Sequence, residues 1–181
     1  MQVTACAIPP DSGLARFRDD AEYTHAEAAQ TSLPPGTRVD ARELAAVTMS
    51  RPSLAPERSM WLVDIWIRVQ SVLLRPLGVK RNTMSSRKGQ ELPVAGARLG
   101  PYEVFAADDR EVLLGDRDQL IEHRMSFVVE DGRAVIGVVL RTRNAAGQKY
   151  WESIRDMQTP ILHESLQRGV RQVTDPDRAL R

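Results

Sequence analysis

Residues 121–127 read Ile-Glu-His-Arg-Met-Ser-Phe, with three ionisable side chains in succession and a serine close behind. Glu122 and His123 are acid–base types, Arg124 can hold an anion, and Ser126 can offer a hydroxyl. They work together only where the backbone turns them toward one point. Successive side chains on a strand point to opposite faces. Residues 119–130 read as a strand, so Glu122, Arg124 and Ser126 share one face. Ile121, His123, Met125, Phe127 and Val129 share the other, and the cluster is divided.

Asp131-Gly132 then predicts a two-residue hairpin, because a positive-φ turn matches strand twist. That turn sets Glu130 against Arg133, Val128 against Val135, Ser126 against Gly137 and Arg124 against Val139. Glu122 meets Arg141 and His123 meets Leu140. The face carrying Ile121, Met125, Phe127, Val129, Ala134, Ile136, Val138 and Leu140 is the predicted core face. The opposite face, with Glu122, Arg141, Arg124 and Ser126, reads as solvated, where an exposed ion pair contributes about 0–1 kcal/mol.

His123 stands apart, an imidazole in an apolar row. A short Asn-Ala-Ala-Gly loop after residue 143 predicts a third strand, "KYWESI", bringing Trp151 opposite Leu140. His123, Leu140 and Trp151 then form a row across three strands. Together with Met125, Phe127 and a polar contribution from Tyr102, they are the expected ligand-lining residues. His123 is the candidate general acid or base; the plainer reading is a packed core histidine with one hydrogen bond.

These residues need a scaffold. Residues 1–20, with Pro9-Pro10, read as an irregular lead-in, and the weak alternation of residues 22–31 reads as an edge strand, with helix left open by the alanines. Asp40 caps a helix at 41–49, with Glu43 three residues on. An apolar stripe through Trp61, Leu62, Ile65, Trp66, Val69, Val72 and Leu73 predicts a helix over about 57–74. Residues 80–96 read as a basic surface loop. Strands follow at 100–107, 111–115, 119–130 and 133–143. Thr159-Pro160 reads as the start of the closing helix. Residues 1–175 are expected to form one α+β domain, and 176–181 a frayed tail.

The chain has 181 residues, 42% hydrophobic, and a net charge of +1 from 25 basic and 24 acidic residues. That balance gives no global field to attract nucleic acid or an anionic membrane. Cys6 is the only cysteine, so no intrachain disulfide forms. The apolar runs are too short to span a bilayer, and a soluble cytoplasmic protein is expected. His25, His123 and His163 lie far apart without ligand spacing, no glycine-rich phosphate loop follows a strand, and no nucleophile elbow occurs. No metal and no cofactor is expected.

Three blocks, "AIPPDSGL" with "DAEYTHAEAAQTSLPPGTRVDARELA", "EVLLGDRDQLIEHRMSFVV" and "KYWESIRDMQTPILHESLQRGVR", resemble a bacterial family, domain of unknown function 2867. Arg124 and Ser126 match its central motif, and His123 stands where the family has an aromatic residue. Leu120 and Gln158 stand where it has histidines, so no catalytic role is transferred to them. The order of elements resembles the helix-grip, START-like or polyketide-cyclase-like architecture. The resemblance implies a curved antiparallel sheet around a long C-terminal helix, with two helices inserted after the first strands and a hydrophobic small molecule often held between sheet and helix.

Three functions compete on this reading. The first is binding of a hydrophobic or aromatic small molecule between sheet and helix. The second is a cyclase, dehydratase or isomerase using His123. The third is a non-catalytic interaction module that contacts its partner through the 80–96 loop.

Overall fold

The computed structural model describes residues 2–50 and 92–175. The expected helix over 57–74 and residues 80–91 of the expected 80–96 loop lie outside the described residues. Within them, the chain runs β1 (Thr4–Cys6), α1 (Ala15–Arg18), β2 (His25–Ser32), α2 (Ala41–Ser50), β3 (Arg98–Leu99), β4 (Tyr102–Ala107), β5 (Glu111–Arg117), β6 (Ile121–Glu130), β7 (Arg133–Thr142) and α3 (Ala145–Val173). The class is α+β, with the strands in one antiparallel sheet of order β1-β2-β7-β6-β5-β4-β3.

The central hairpin follows the expected register throughout, from Glu130 opposite Arg133 to Glu122 opposite Arg141. Asp131 and Gly132 adopt φ of 47° and 72°, the left-handed pair that a tight hairpin turn requires. Residues 22–31 do supply a strand, β2, but it is not an edge. It pairs with β7 on one side and with the three-residue β1 on the other. An edge assignment fails because strand neighbours are chosen by pairing over about a hundred residues of sequence, which local composition does not encode.

The face packed on the helices carries the expected core: Phe127, Ala134, Ile136 and Val138 are buried against Leu44 and Ala45 of α2 and Leu162, Leu166 and Val170 of α3. Helix α2 begins after Asp40, whose side chain accepts from the Arg42 backbone N–H at 2.8 Å. That contact satisfies one of the amides left open at a helix start.

The opposite face is not solvated. Ile8, Leu14, Ala15 and Tyr23 lie over Ala28, Leu113, Val128, Val135 and Val139 and form a second apolar cluster. Glu111 anchors this cover, accepting from the Ser12 hydroxyl at 2.5 Å and from the Gly13 backbone N–H at 2.9 Å. Gly137 permits the closest contact, since a Cβ there would lie 2.8 Å from Leu14 Cδ2. The continuous apolar run 134–140 belongs to a strand buried on both faces.

The closing helix also differs from expectation. Residues 145–173 form one helix, so "KYWESI" is not a strand and Pro160 lies inside the helix rather than at its start. Asn144 is the cap: its side-chain carbonyl accepts from the Gly147 N–H at 2.8 Å. A cap followed by Ala145 and Ala146 favours helix, and Trp151, Leu162, Leu166 and Val170 give it a buried stripe that outweighs the β-preference of Tyr150-Trp151.

Candidate functional site

The sheet registers set Asp116, His123, Leu140 and His25 in one row across β5, β6, β7 and β2. Tyr102 extends it on β4, one step beyond the Glu103–Gly115 pair. The row lies on the α3 side of the sheet. At one end the Tyr102 and His123 rings meet edge-on with centroids 5.2 Å apart. At the other, the His25 ring meets Trp151 of α3 at 4.6 Å. Leu140 stands between the two pairs.

Trp151 therefore reaches the row from a helix. The strand position beside Leu140, expected for Trp151, belongs to His25. Of the other expected site residues, Phe127 is fully buried among core side chains, and Met125 is partly buried against the same core.

Position sets the electrostatics. Burial pushes the His123 pKa below its ordinary value, because protein around the ring disfavours the charged form, and Asp116 opposes that shift. His123 is thus held as a neutral imidazole. Tyr102 keeps part of its surface open, yet burial, reinforced by Asp116 and Tyr150, pushes its phenol up to about 12. It stays a protonated donor. His25 Nε2 is buried without a hydrogen-bond partner, and the nearest carboxylate oxygen, on Glu27, is 3.6 Å away. His25, Glu27 and Asp116 were missed by the sequence. The alternation of β2 puts His25 and Glu27 on one face, but nothing local says that β7 is the neighbour.

The covered face holds the other half of the divided heptapeptide. Glu122 is 3% exposed and Ser126 1%, so neither is a surface residue. Glu122 accepts from Arg124 Nη2 at 2.6 Å, from Arg141 Nη2 at 2.8 Å and Nε at 3.1 Å, and from the Tyr23 hydroxyl at 3.2 Å. The expected solvated ion pair is instead a buried cluster, roofed by the residues that cover this face. Arg124 lies over the rings of Phe105 and Phe17, at 4.5 and 5.5 Å from their centroids.

Among the described residues, no group of three or more His, Cys, Asp or Glu is placed to hold a metal ion. No described helix is long and apolar enough to cross a membrane.

These features define an α+β protein whose antiparallel sheet carries a ring-lined row under its C-terminal helix. The chain belongs to the family described as protein of unknown function (DUF2867), whose model matches residues 18–163 and so spans the row, the buried cluster and most of α3. No curated protein matches the chain, and no solved structure does.

Proposed function

We propose that the protein binds a hydrophobic or aromatic small molecule at the row formed by Tyr102, His123, Leu140 and His25 beneath Trp151. The observation that carries this reading is the pairing of rings on either side of Leu140, Tyr102 with His123 and His25 with Trp151. Apolar walls with a few fixed polar groups suit such ligands, and a neutral imidazole and a protonated phenol supply orientation without a buried charge. Met125 and Phe127 continue the wall toward the core. A long helix over one face of an antiparallel sheet supports the helix-grip, START-like reading of the fold.

The test is native mass spectrometry of protein purified gently from its own host, compared with the mass after denaturation. A discrete adduct lost on denaturation, and lost again in His123→Ala or Trp151→Ala protein that keeps its fold, is the expected result. A clean mass at high protein concentration, or an adduct indifferent to both substitutions, would count against the reading.

Catalysis at the same place is the second reading, favoured by one observation: His123 stands beside Asp116 in the register and meets the Tyr102 ring, held neutral and able to accept a proton. A cyclase, dehydratase or isomerase would use it as general base, worth about 10²–10⁴-fold in rate. An identified reaction whose rate survives His123→Gln would remove that role.

A further inference from the structure

A cleft of about 220 Å³ opens on the sheet face away from α3. Arg98, Phe105, Arg117 and Arg124 line it, with Gly115 among them. Its construction is specific. Val104 pairs with Leu114 and Ala106 with Leu113, so Phe105 is the extra residue of a β-bulge. The bulge leaves its ring 38% exposed beside the Arg124 guanidinium. Gly115, opposite Arg124 in the register, has no side chain to lift that arginine off the sheet. A Cβ there would lie 2.7 Å from both Arg124 Cδ and Nη1.

The groups around Glu122 leave one guanidinium with hydrogen-bonding capacity free. Glu122 already accepts four hydrogen bonds, two from Arg141 and one each from Arg124 and Tyr23. Four fill the acceptor sites of a carboxylate. Arg117 Nε stays 3.7 Å from Glu122, beyond hydrogen-bond length, and its side chain is 57% exposed. Arg141 also pairs with Glu22, so the positive charge in excess around Glu122 resides on Arg117. Arg98 and Glu103, opposite in charge, are register partners across β3 and β4. Asp116 also borders the cleft; it is the register partner of His123 and belongs to the row facing α3.

We infer that this cleft binds a small aromatic carboxylate, Arg117 holding the carboxylate and Phe105 flanking the ring. A guanidinium fork matches a carboxylate in two parallel hydrogen bonds, and an exposed ring beside it selects a flat apolar body. The volume suits a ligand smaller than a drug-sized one. The site lies on the opposite face from the row under α3, so either can fail without the other.

The experiment is an amide NMR titration of the full chain with benzoate, its neutral analogue benzamide, and acetate. Benzoate is expected to give saturable shifts at Phe105, Gly115 and Arg117, at least about tenfold tighter than benzamide. Arg117→Gln, an exposed change that leaves remote amides in place, is expected to weaken benzoate about tenfold. Phe105→Ala is expected to weaken benzoate and leave acetate unchanged. Equal affinity for benzoate and benzamide, shifts that never saturate or that centre on Tyr102 and His123, or an unaffected Arg117→Gln variant would each overturn the proposal.

Discussion

The His25 and Trp151 rings meet with centroids 4.6 Å apart and planes tilted by 53°, joining the start of β2 to the first turns of α3. Both sit beside Leu140, because His25 is that residue's register partner. One contact thus ties β2 to β7 and α3, which follow it about a hundred residues later in the chain. Trp151 is 7% exposed. Replacing a buried Trp by Ala costs about 3–5 kcal/mol, and Trp151→Phe, which keeps a ring over His25, is expected to cost less than half of that. Urea unfolding of the two variants checks both figures; equal losses would show that the ring contact contributes nothing.

Glu122 is the carboxylate that Arg124 and Arg141 share, with Arg117 more distant and Arg141 also paired with Glu22. Glu122→Gln leaves Arg124 without its counter-charge, and Arg141 with Glu22 alone, in a largely covered site. A loss of about 2–4 kcal/mol is expected, below the fully buried case because Arg141 is partly exposed. A double-mutant cycle with Arg124→Gln is expected to show coupling above about 1 kcal/mol. A loss under about 1 kcal/mol with no coupling would mark the cluster as an ordinary surface pair.

Two glycines of α3 are expected to respond unequally to alanine, although alanine is intrinsically better in a helix by about 1 kcal/mol. A Cβ on Gly147 would lie 2.0 Å from the Leu120 carbonyl oxygen, which also accepts from the Arg143 N–H. Backbone cannot rotate away, so Gly147→Ala is expected to destabilise by about 2–3 kcal/mol or more. A Cβ on Gly169 would lie 2.1 Å from Thr48 Oγ1, a side-chain atom without a hydrogen-bond partner. Gly169→Ala is expected to cost less, and Thr48→Ala in the same chain to recover part of the loss. Thermal midpoints of the three variants decide the order.

His123 makes stability depend on pH in a fixed direction. Its folded pKa lies below the ordinary value of 6.5, so the unfolded chain binds the proton more readily. The contribution is complete above about pH 6.5 and is lost as pH falls from there toward the folded pKa. The carboxylates of Asp40 and Glu130, lowered by their arginine partners, add their own loss at lower pH, below the ordinary carboxylate values. Denaturant midpoints between pH 7 and 5 are expected to fall more steeply for the wild type than for His123→Gln. Parallel curves would show that His123 takes up its proton as easily folded as unfolded.

Much of the candidate site was legible because strand geometry is periodic. Alternation along 121–130 and the Asp131-Gly132 turn determine which residues share a face and which meet across the hairpin. The His123–Leu140 and Glu122–Arg141 pairs follow from the sequence alone, and so does the helix-facing core. What alternation leaves open is what covers each face. A row of Glu122, Arg124 and Ser126 reads as solvated until residues 8–23 are laid over it. The clue was the unbroken apolar run 134–140, which a strand with one wet face does not need.

The local pattern around Trp151 favoured a strand, and the tertiary structure made it helix. Asn144 caps the first turn, Gly147 fits against Leu120, and the stripe through Leu162, Leu166 and Val170 buries the helix on the sheet. Packing over 29 residues outweighs the preference of Tyr150-Trp151, and it tolerates Pro160 in the interior. The sequence by itself determined the β6–β7 hairpin and the division of its side chains, since both depend on neighbours a few residues apart. Only the tertiary structure decided that His25 stands next to Leu140, that Trp151 arrives from a helix, and that Glu122 is buried. Each of these depends on which distant segments pair, and that choice is made by the summed burial of the whole chain rather than by any one stretch of it.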